Sequence, residues 1–307
     1  IGGTQEVSGA DVIDYSHMTV ADVARDYVYL DLSNQTTTVK QSNVTTATDK
    51  FSGIEEFILT SGNDTIKGNS EANNLNGGLG SDTVRYDYLN TGESVTVNFN
   101  TNSATTTVAG DNDTYTSIEN VFGSSGNDTF IMNATDDVEN TINGGTAGVD
   151  TISYANYSTK VTVNLGATDG INTVKSGDTD TILNIENLIG GSVGDELTGS
   201  DADNQITGGA GADTIYSSKG TDIINGSTSS TDIDVMDYGT ANRTSNIVLT
   251  ATGSTYTVVK TDDSNKTDTL SNIEVVKGTN FADQMSGDTA SDTFNAGLGN
   301  DILSGGA

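Results

Sequence analysis

Acidic residues step through this chain in nines. Glu55, Asp64, Asn73 and Asp82 form one ladder, and Glu119, Asp128 and Asp137 a second. Glu186, Asp195, Asn204, Asp213 and Asp222 form a third, and Glu274, Asp283, Asp292 and Asp301 a fourth. Glycines crowd the residues before several rungs. Gly77-Gly78-Leu79-Gly80-Ser81-Asp82-Thr83-Val84-Arg85 and Gly208-Gly209-Ala210-Gly211-Ala212-Asp213-Thr214-Ile215-Tyr216 share one pattern: two Gly, any residue, Gly, any, Asp, any, aliphatic, any. Ala296-Gly297-Leu298-Gly299-Asn300-Asp301-Ile302-Leu303-Ser304 departs only at its first residue, and looser versions end at Asp64, Asp128, Asp195, Asp222 and Asp283. Glycine lets the backbone bend sharply and turn its carbonyl oxygens toward one point. The Asp adds an anionic oxygen there. Such an all-oxygen donor set suits calcium, which takes roughly 6–8 oxygens at about 2.3–2.6 Å; magnesium demands tighter octahedral geometry and fits less well. With one His and no Cys, zinc lacks its usual ligands.

The ladder also dictates the elements that carry it. The aliphatic residue two positions after each Asp starts a short strand and points inward, so one nonapeptide is a turn plus a strand. Two nonapeptides close a coil, which stacks residues 18 apart on one edge, about 4.8 Å apart along the axis. Asp64 and Asp82, Asp195 and Asp213, and Asp283 and Asp301 have that spacing, and an ion is expected between the members of each pair. Asp150 lies 22 residues beyond Asp128, so the second ladder reads as interrupted. Asn73 and Asn204 replace Asp on the opposite edge, where weaker or absent ions are expected.

A longer repeat of about 70 residues contains the ladders. Each copy opens with Asp, any residue, an aliphatic or Met, any residue, then Tyr: Asp11 to Tyr15, Asp82 to Tyr86, Asp150 to Tyr154 and Asp234 to Tyr238. The recurrence of the tyrosines at one position points to packing. Period-two apolar segments follow at Val28-Leu30-Leu32, Val95-Val97-Phe99, Val161-Val163-Leu165 and Ile247-Leu249, which predicts half-buried strands. An Asp then precedes a Glu by six residues, as Asp49 and Glu55, Asp113 and Glu119, Asp180 and Glu186, and Asp268 and Glu274. These fixed offsets predict an all-β chain, one continuous parallel β-roll or β-solenoid over 1–307, with superrepeats at approximately 11–81, 82–149, 150–233 and 234–307. Thr101 to Gly110 and Thr252 to Lys266 read as turns or bulging loops, and Thr19 to Tyr27 as a short capping helix with Thr19 as N-cap.

Composition narrows the function classes. The 307 residues carry 43 acidic side chains against 12 basic ones, a net charge of −31 that repels itself without cations. No basic patch exists for nucleic acid. No apolar run approaches the ~18 residues of a membrane span. Without Cys, disulfide frameworks and thiol chemistry are excluded. His17 stands alone, Arg25, Arg85 and Arg243 are scattered, and neither an HExxH nor a GxSxG motif occurs. The chain is therefore expected not to be an enzyme. Thr runs such as Thr36-Thr37-Thr38 do not repeat at the coil spacing, which argues against a flat ice- or glycan-binding face. Ile1-Gly2-Gly3-Thr4 is no signal peptide and Leu303 to Ala307 lie inside a repeat, so the chain reads as a segment of a longer protein.

The nonapeptides resemble the RTX, or hemolysin-type, calcium-binding repeats, and the segments between them, such as Tyr154 to Leu165 and Asn184 to Asn187, resemble the spacer coils of large bacterial RTX surface proteins. The resemblance implies type I secretion, folding on several calcium ions outside the cell, and ligation by the Asp at the sixth motif position with nearby loop carbonyls. Carried onto this chain, it points to Asp64, Asp82, Asp128, Asp195, Asp213, Asp222, Asp283, Asp292 and Asp301, with the backbone of Gly77, Leu79, Gly80, Gly208, Ala210, Gly211, Gly297 and Gly299. The expectation is a structural segment of an extracellular surface protein, an S-layer, filament or adhesin, whose partners are neighbouring repeats or copies of itself, with cell-surface polysaccharide as a further class. The alternatives are a secretion and folding module of an exported enzyme or toxin, and a polysaccharide-active or ice- or glycan-binding β-helix.

Overall fold

In the computed structural model, residues 11–18, 27–41, 44–135, 139–168, 170–175, 178–227, 229, 231–239, 243–287 and 292–306 are described. The expected helix at Thr19 lies outside them, and Tyr27 opens a strand. The fold is all-β and of the parallel β-solenoid type. Among the described residues no helix is long and apolar enough to cross a membrane. The chain forms two compact units, Ile1–Ile131 with Val138–Asp150, and Met132–Asp137 with Thr151–Ala307.

Most strands of the first unit are three residues long, and the middle residue is the buried one. Phe57, Ile66, Leu75, Val84, Val121, Phe130 and Ile142 all occupy that place. The parallel register stacks them. Thr65–Lys67 pairs with Thr83–Arg85 so that Ile66 lies beside Val84, and Asn120–Phe122 then sets Val121 beside Val84. Glu56–Ile58 pairs with Asn74–Asn76, which sets Phe57 beside Leu75. Both pairings have the expected 18-residue offset. Each buried aliphatic side chain contributes about 1.5–3 kcal/mol, so a thin column one residue wide per strand suffices. The second unit repeats the scheme. Leu197, Ile215, Met236 and Val276 form one column, and Leu188, Ile206, Ile224 and Leu270 another.

The segments between ladders differ from the expected spacer coils. They are antiparallel insertions in otherwise parallel sheets. Val95–Asn98, Ser103–Thr106 and Asn112–Thr116 make a meander whose outer strands pair in parallel with Thr129–Ile131 and Asn74–Asn76. Ile247–Thr252, Thr255–Lys260 and Lys266–Ser271 do the same in the second unit, against Gln284–Ser286 and Ile223–Ser227. Tyr27–Asp31, Thr36–Gln41 and Val44–Lys50 form a third meander, and Ile171–Lys175 with Asp178–Leu183 a hairpin. Two expected loops thus contain strands, Ser103–Thr106 and Thr255–Lys260. The physical reason lies in their turns. Gly253, in the left-handed region at φ 64°, and Ser254 close a two-residue hairpin between paired Thr252 and Thr255.

Candidate metal sites

The stacked turns bring the acidic rungs together as a ladder of carboxylates and backbone N–H groups. Each carboxylate accepts from the N–H of the residue one coil earlier. The Asp64 N–H donates to Asp82 Oδ1 at 2.7 Å, Asp195 to Asp213 at 2.8 Å, and Asp283 to Asp301 at 3.0 Å. The three pairs expected from spacing are therefore neighbours. The second ladder has the same bond, from the Asp128 N–H to Asp150 Oδ1 at 2.7 Å. The longer spacing does not break this bond. Asp137 lies outside the described residues.

The turns fall into two kinds, which alternate. In the first, the residue at motif position two donates its N–H to the Asp of its own turn. Thr60 bonds Asp64 Oδ2 at 2.8 Å, Ser124 bonds Asp128 at 2.6 Å, Gly191 bonds Asp195 at 2.6 Å and Thr279 bonds Asp283 at 2.7 Å. In the second kind position two is a glycine in the left-handed region, such as Gly78 at φ 98°. Its N–H turns away to Asn76 Oδ1, and the Asp loses that donor. Asp82 Oδ2 and Asp213 Oδ2 are buried with no hydrogen-bond partner. They belong to the two turns that match the nonapeptide at every position. A buried carboxylate oxygen without a donor is costly unless a cation meets it.

Carbonyl oxygens line the same stack. A side chain at Gly78 would overlap the Thr60 carbonyl oxygen, and one at Gly80 that of Gly62. A Cβ at Gly77 would meet both Asp82 Oδ2 and the Ser117 carbonyl, so an anionic and a neutral oxygen converge there. Gly208 stands likewise beside Asp213 Oδ2 and the Gly226 carbonyl. Gly297 and Gly299 face the carbonyls of Thr279 and Phe281. The N–H groups of Leu79 and Ala210 donate to the carbonyls of Thr60 and Gly191, and the Leu79 side chain points out, 73% exposed. Gly211 packs on the backbone of Val193 and Gly194. Among the described residues no three acidic or His side chains group as a metal cluster. The donor set is thus one or two carboxylates with backbone carbonyls, which fits a hard cation and no soft one.

Burial sets the electrostatics. It pushes Asp82 up to about 8, with the charges of Asp64 and Glu119 adding to the rise against the Asp64 N–H bond. It pushes Asp213 up to about 7, with Asp234, Asp195 and Asp232 adding to it. Burial also raises Asp64, Asp128 and Asp195, opposed by their backbone hydrogen bonds. A cation at the turns would hold these groups ionised.

Two expected ligands have side-chain partners of their own. Asp222 Oδ2 has a lysine ammonium, that of Lys260, at 3.0 Å. Asp292 accepts from the Tyr256 hydroxyl, and the middle of its turn lies outside the described residues. Other members of the ladder escaped the sequence reading. Asp234 Oδ1 accepts the Asp213 N–H at 2.8 Å and Asp232 Oδ2 the Gly211 N–H at 2.9 Å, which extends the third ladder by one turn. Glu119 and Glu274 cap the N–H groups of Asp82 and Asp234 at 2.9 and 2.8 Å. The repeating tyrosines pair with the repeating aspartates: Tyr15 with Asp49, Tyr86 with Asp113, Tyr154 with Asp180 and Tyr238 with Asp268, at 3.2, 2.9, 3.4 and 2.8 Å. The Asp–x–x–x–Tyr openings and the Asp before each Glu were both legible, but not their pairing.

Stacked short strands, glycine turns and an all-oxygen ladder define a β-solenoid with cation-type turns. The family model of the RTX calcium-binding nonapeptide repeat matches residues 51–85, 189–227 and 277–307, in four copies. Those stretches are RTX repeats of the calcium-binding kind. No curated protein matches it. The matched stretches leave out the Asp128–Asp150 pair, whose hydrogen bond across the coils is nonetheless that of the others.

Proposed function

We propose that this chain is a calcium-binding structural segment of an extracellular surface protein, such as an S-layer, filament or adhesin, that orders on several ions after export. The observation that carries the reading is the pair of buried, unpartnered carboxylate oxygens of Asp82 and Asp213 in the two complete nonapeptides. Calcium would supply the positive charge that these oxygens lack. Asp82 and Asp213, with backbone carbonyls of their own and neighbouring turns, would hold it. The Asp128–Asp150 and Asp283–Asp301 pairs extend the set to four places in the chain. The role is non-catalytic and mechanical. In-register columns and parallel ladders resist bending, and repeats of this kind join to neighbouring repeats or to copies of themselves. His17 fits a surface position, its side chain 75% exposed beside Asp14.

Circular dichroism and calcium titration test the reading. Chelation is expected to remove the β signal, and returned calcium to restore it with several ions bound. Sedimentation in calcium should show growth beyond the monomer. An unchanged signal and melting temperature with chelator would refute calcium-dependent ordering, and a monomer at all calcium levels would refute self-assembly.

A further inference from the structure

Lys260 is fully buried, and it is the last residue of a strand in the antiparallel insertion Ile247–Ser271 of the second unit. Its Nζ lies 3.0 Å from Asp222 Oδ2 and 2.6 Å from Asp268 Oδ1, and it donates to the Ser218 carbonyl at 3.0 Å. Those partners have places in the repeat. Ser218 and Asp222 are positions two and six of the turn 217–222, and Asp268 stands one coil further on, its Oδ1 accepting the Asp222 N–H at 3.1 Å. The corresponding carboxylate oxygens of Asp82 and Asp213 have no partner. One motif oxygen is therefore left open in two turns, and in a third it is met by an ammonium together with the Ser218 hydroxyl, which donates to Asp222 Oδ2 at 3.1 Å. An ammonium carries three donors and no acceptor, which suits two carboxylates and one carbonyl. Asp268 Oδ2 is satisfied separately, by the Tyr238 hydroxyl.

We propose that Lys260 is a tethered cation, occupying on the Asn204–Asp222–Asp268 edge the place that calcium takes in the turns of Asp82 and Asp213, so that this edge keeps its order when calcium is withdrawn. The proposal rests on the calcium reading of those turns. A free ion leaves when its concentration falls, whereas Lys260 is held by the chain. The strand insertion that carries it thus makes one edge of the second unit independent of calcium. Asp222 is then a lysine partner and no calcium ligand.

Native-state hydrogen exchange on the whole chain, with calcium and with chelator, separates the outcomes. The Asp195 and Asp213 amides, which donate to Asp213 and Asp234, report the calcium edge; the Asn204 and Asp222 amides, which donate to Asp222 and Asp268, report the Lys260 edge. Chelation is expected to speed exchange about 100-fold at the first pair, the loss of a ligand at 100 times its Kd, and to leave the second pair nearly unchanged. Equal loss at both pairs overturns the tethered cation and leaves the calcium reading standing. No loss at either overturns the calcium reading, and the proposal with it. In Lys260→Met the second pair should lose protection in chelator, regain it in calcium, and the chain should bind one ion more. Retained protection of that pair in the chelated variant overturns the proposal. If the variant does not fold, the wild-type comparison decides.

Discussion

Asp82→Asn should stabilise the protein when calcium is absent and lose that advantage when calcium is present. Burial raises Asp82 to about 8, against roughly 3.9 in an unfolded chain. A raised folded value means that the folded form binds the extra proton. The associated stability is complete below about pH 4 and is lost as pH rises through 8. At pH 7 roughly three pH units of that loss have accrued, on the order of 4 kcal/mol at 1.36 kcal/mol per unit. Asparagine carries no charge to desolvate. Its Oδ1 can still accept the Asp64 N–H, and its Nδ2 would face the Ser117 carbonyl that now confronts Asp82 Oδ2. An asparagine already serves elsewhere in the stack with other partners: Asn204 accepts from the Ser200 N–H of its own turn at 2.7 Å and donates to the Glu186 carbonyl one coil earlier at 2.8 Å. The variant should recover most of the cost, about 2–3 kcal/mol in chelator at pH 7. The gain should vanish near pH 4, where the wild-type carboxyl is protonated in both states. With calcium at 100 times its Kd, the wild type should gain about 2.7 kcal/mol that the variant lacks. Urea unfolding at both pH values, with chelator and with calcium, measures all four differences. A variant less stable than wild type in chelator at pH 7 would refute the reasoning, because the carboxylate would then be well held without a cation.

Two further substitutions probe the stack. Gly78→Ala would force a side chain into the Thr60 carbonyl at φ 98° and should cost about 2–4 kcal/mol, from overlap and left-handed strain together; a melting temperature within a degree of wild type would show that the turn opens freely. Tyr238→Phe removes the hydroxyl donor to buried Asp268 and should cost about 1–3 kcal/mol by urea unfolding. The loss should be largest above pH 6, because Asp268, raised to about 6 by burial, is ionised there and needs the donor most. A loss that does not change with pH would separate the hydroxyl from the carboxylate.

Much of the stack was legible because its rules are local. A short strand after each Asp, its buried centre two residues on at Ile66, Val84 or Ile215, and an 18-residue offset all follow from a turn that must close in six residues. The second ladder was undervalued for a related reason. Spacing alone marks the second ladder as interrupted, whereas stacking needs only that the turn return to the same edge. The N–H bond across the coils survives the longer spacing from Asp128 to Asp150. The antiparallel insertions were missed because alternating apolar residues predict a strand but not its direction. The short turn at Gly253-Ser254 was the available signal.

By itself the sequence determined the all-β class, the nonapeptide turns and the all-oxygen chemistry of the ladder, since each follows from residues close together in the chain. Tertiary structure decided which oxygens are left open and which are already met. Asp82, Asp213 and Asp222 hold the same place in the same motif. The glycine conformation at position two leaves the first two without a donor. A lysine 38 residues away in the chain, with the Ser218 hydroxyl at position two, closes the third. No local pattern encodes that distance, because the strand insertion that brings Lys260 to Asp222 is built by pairing with strands on either side of it.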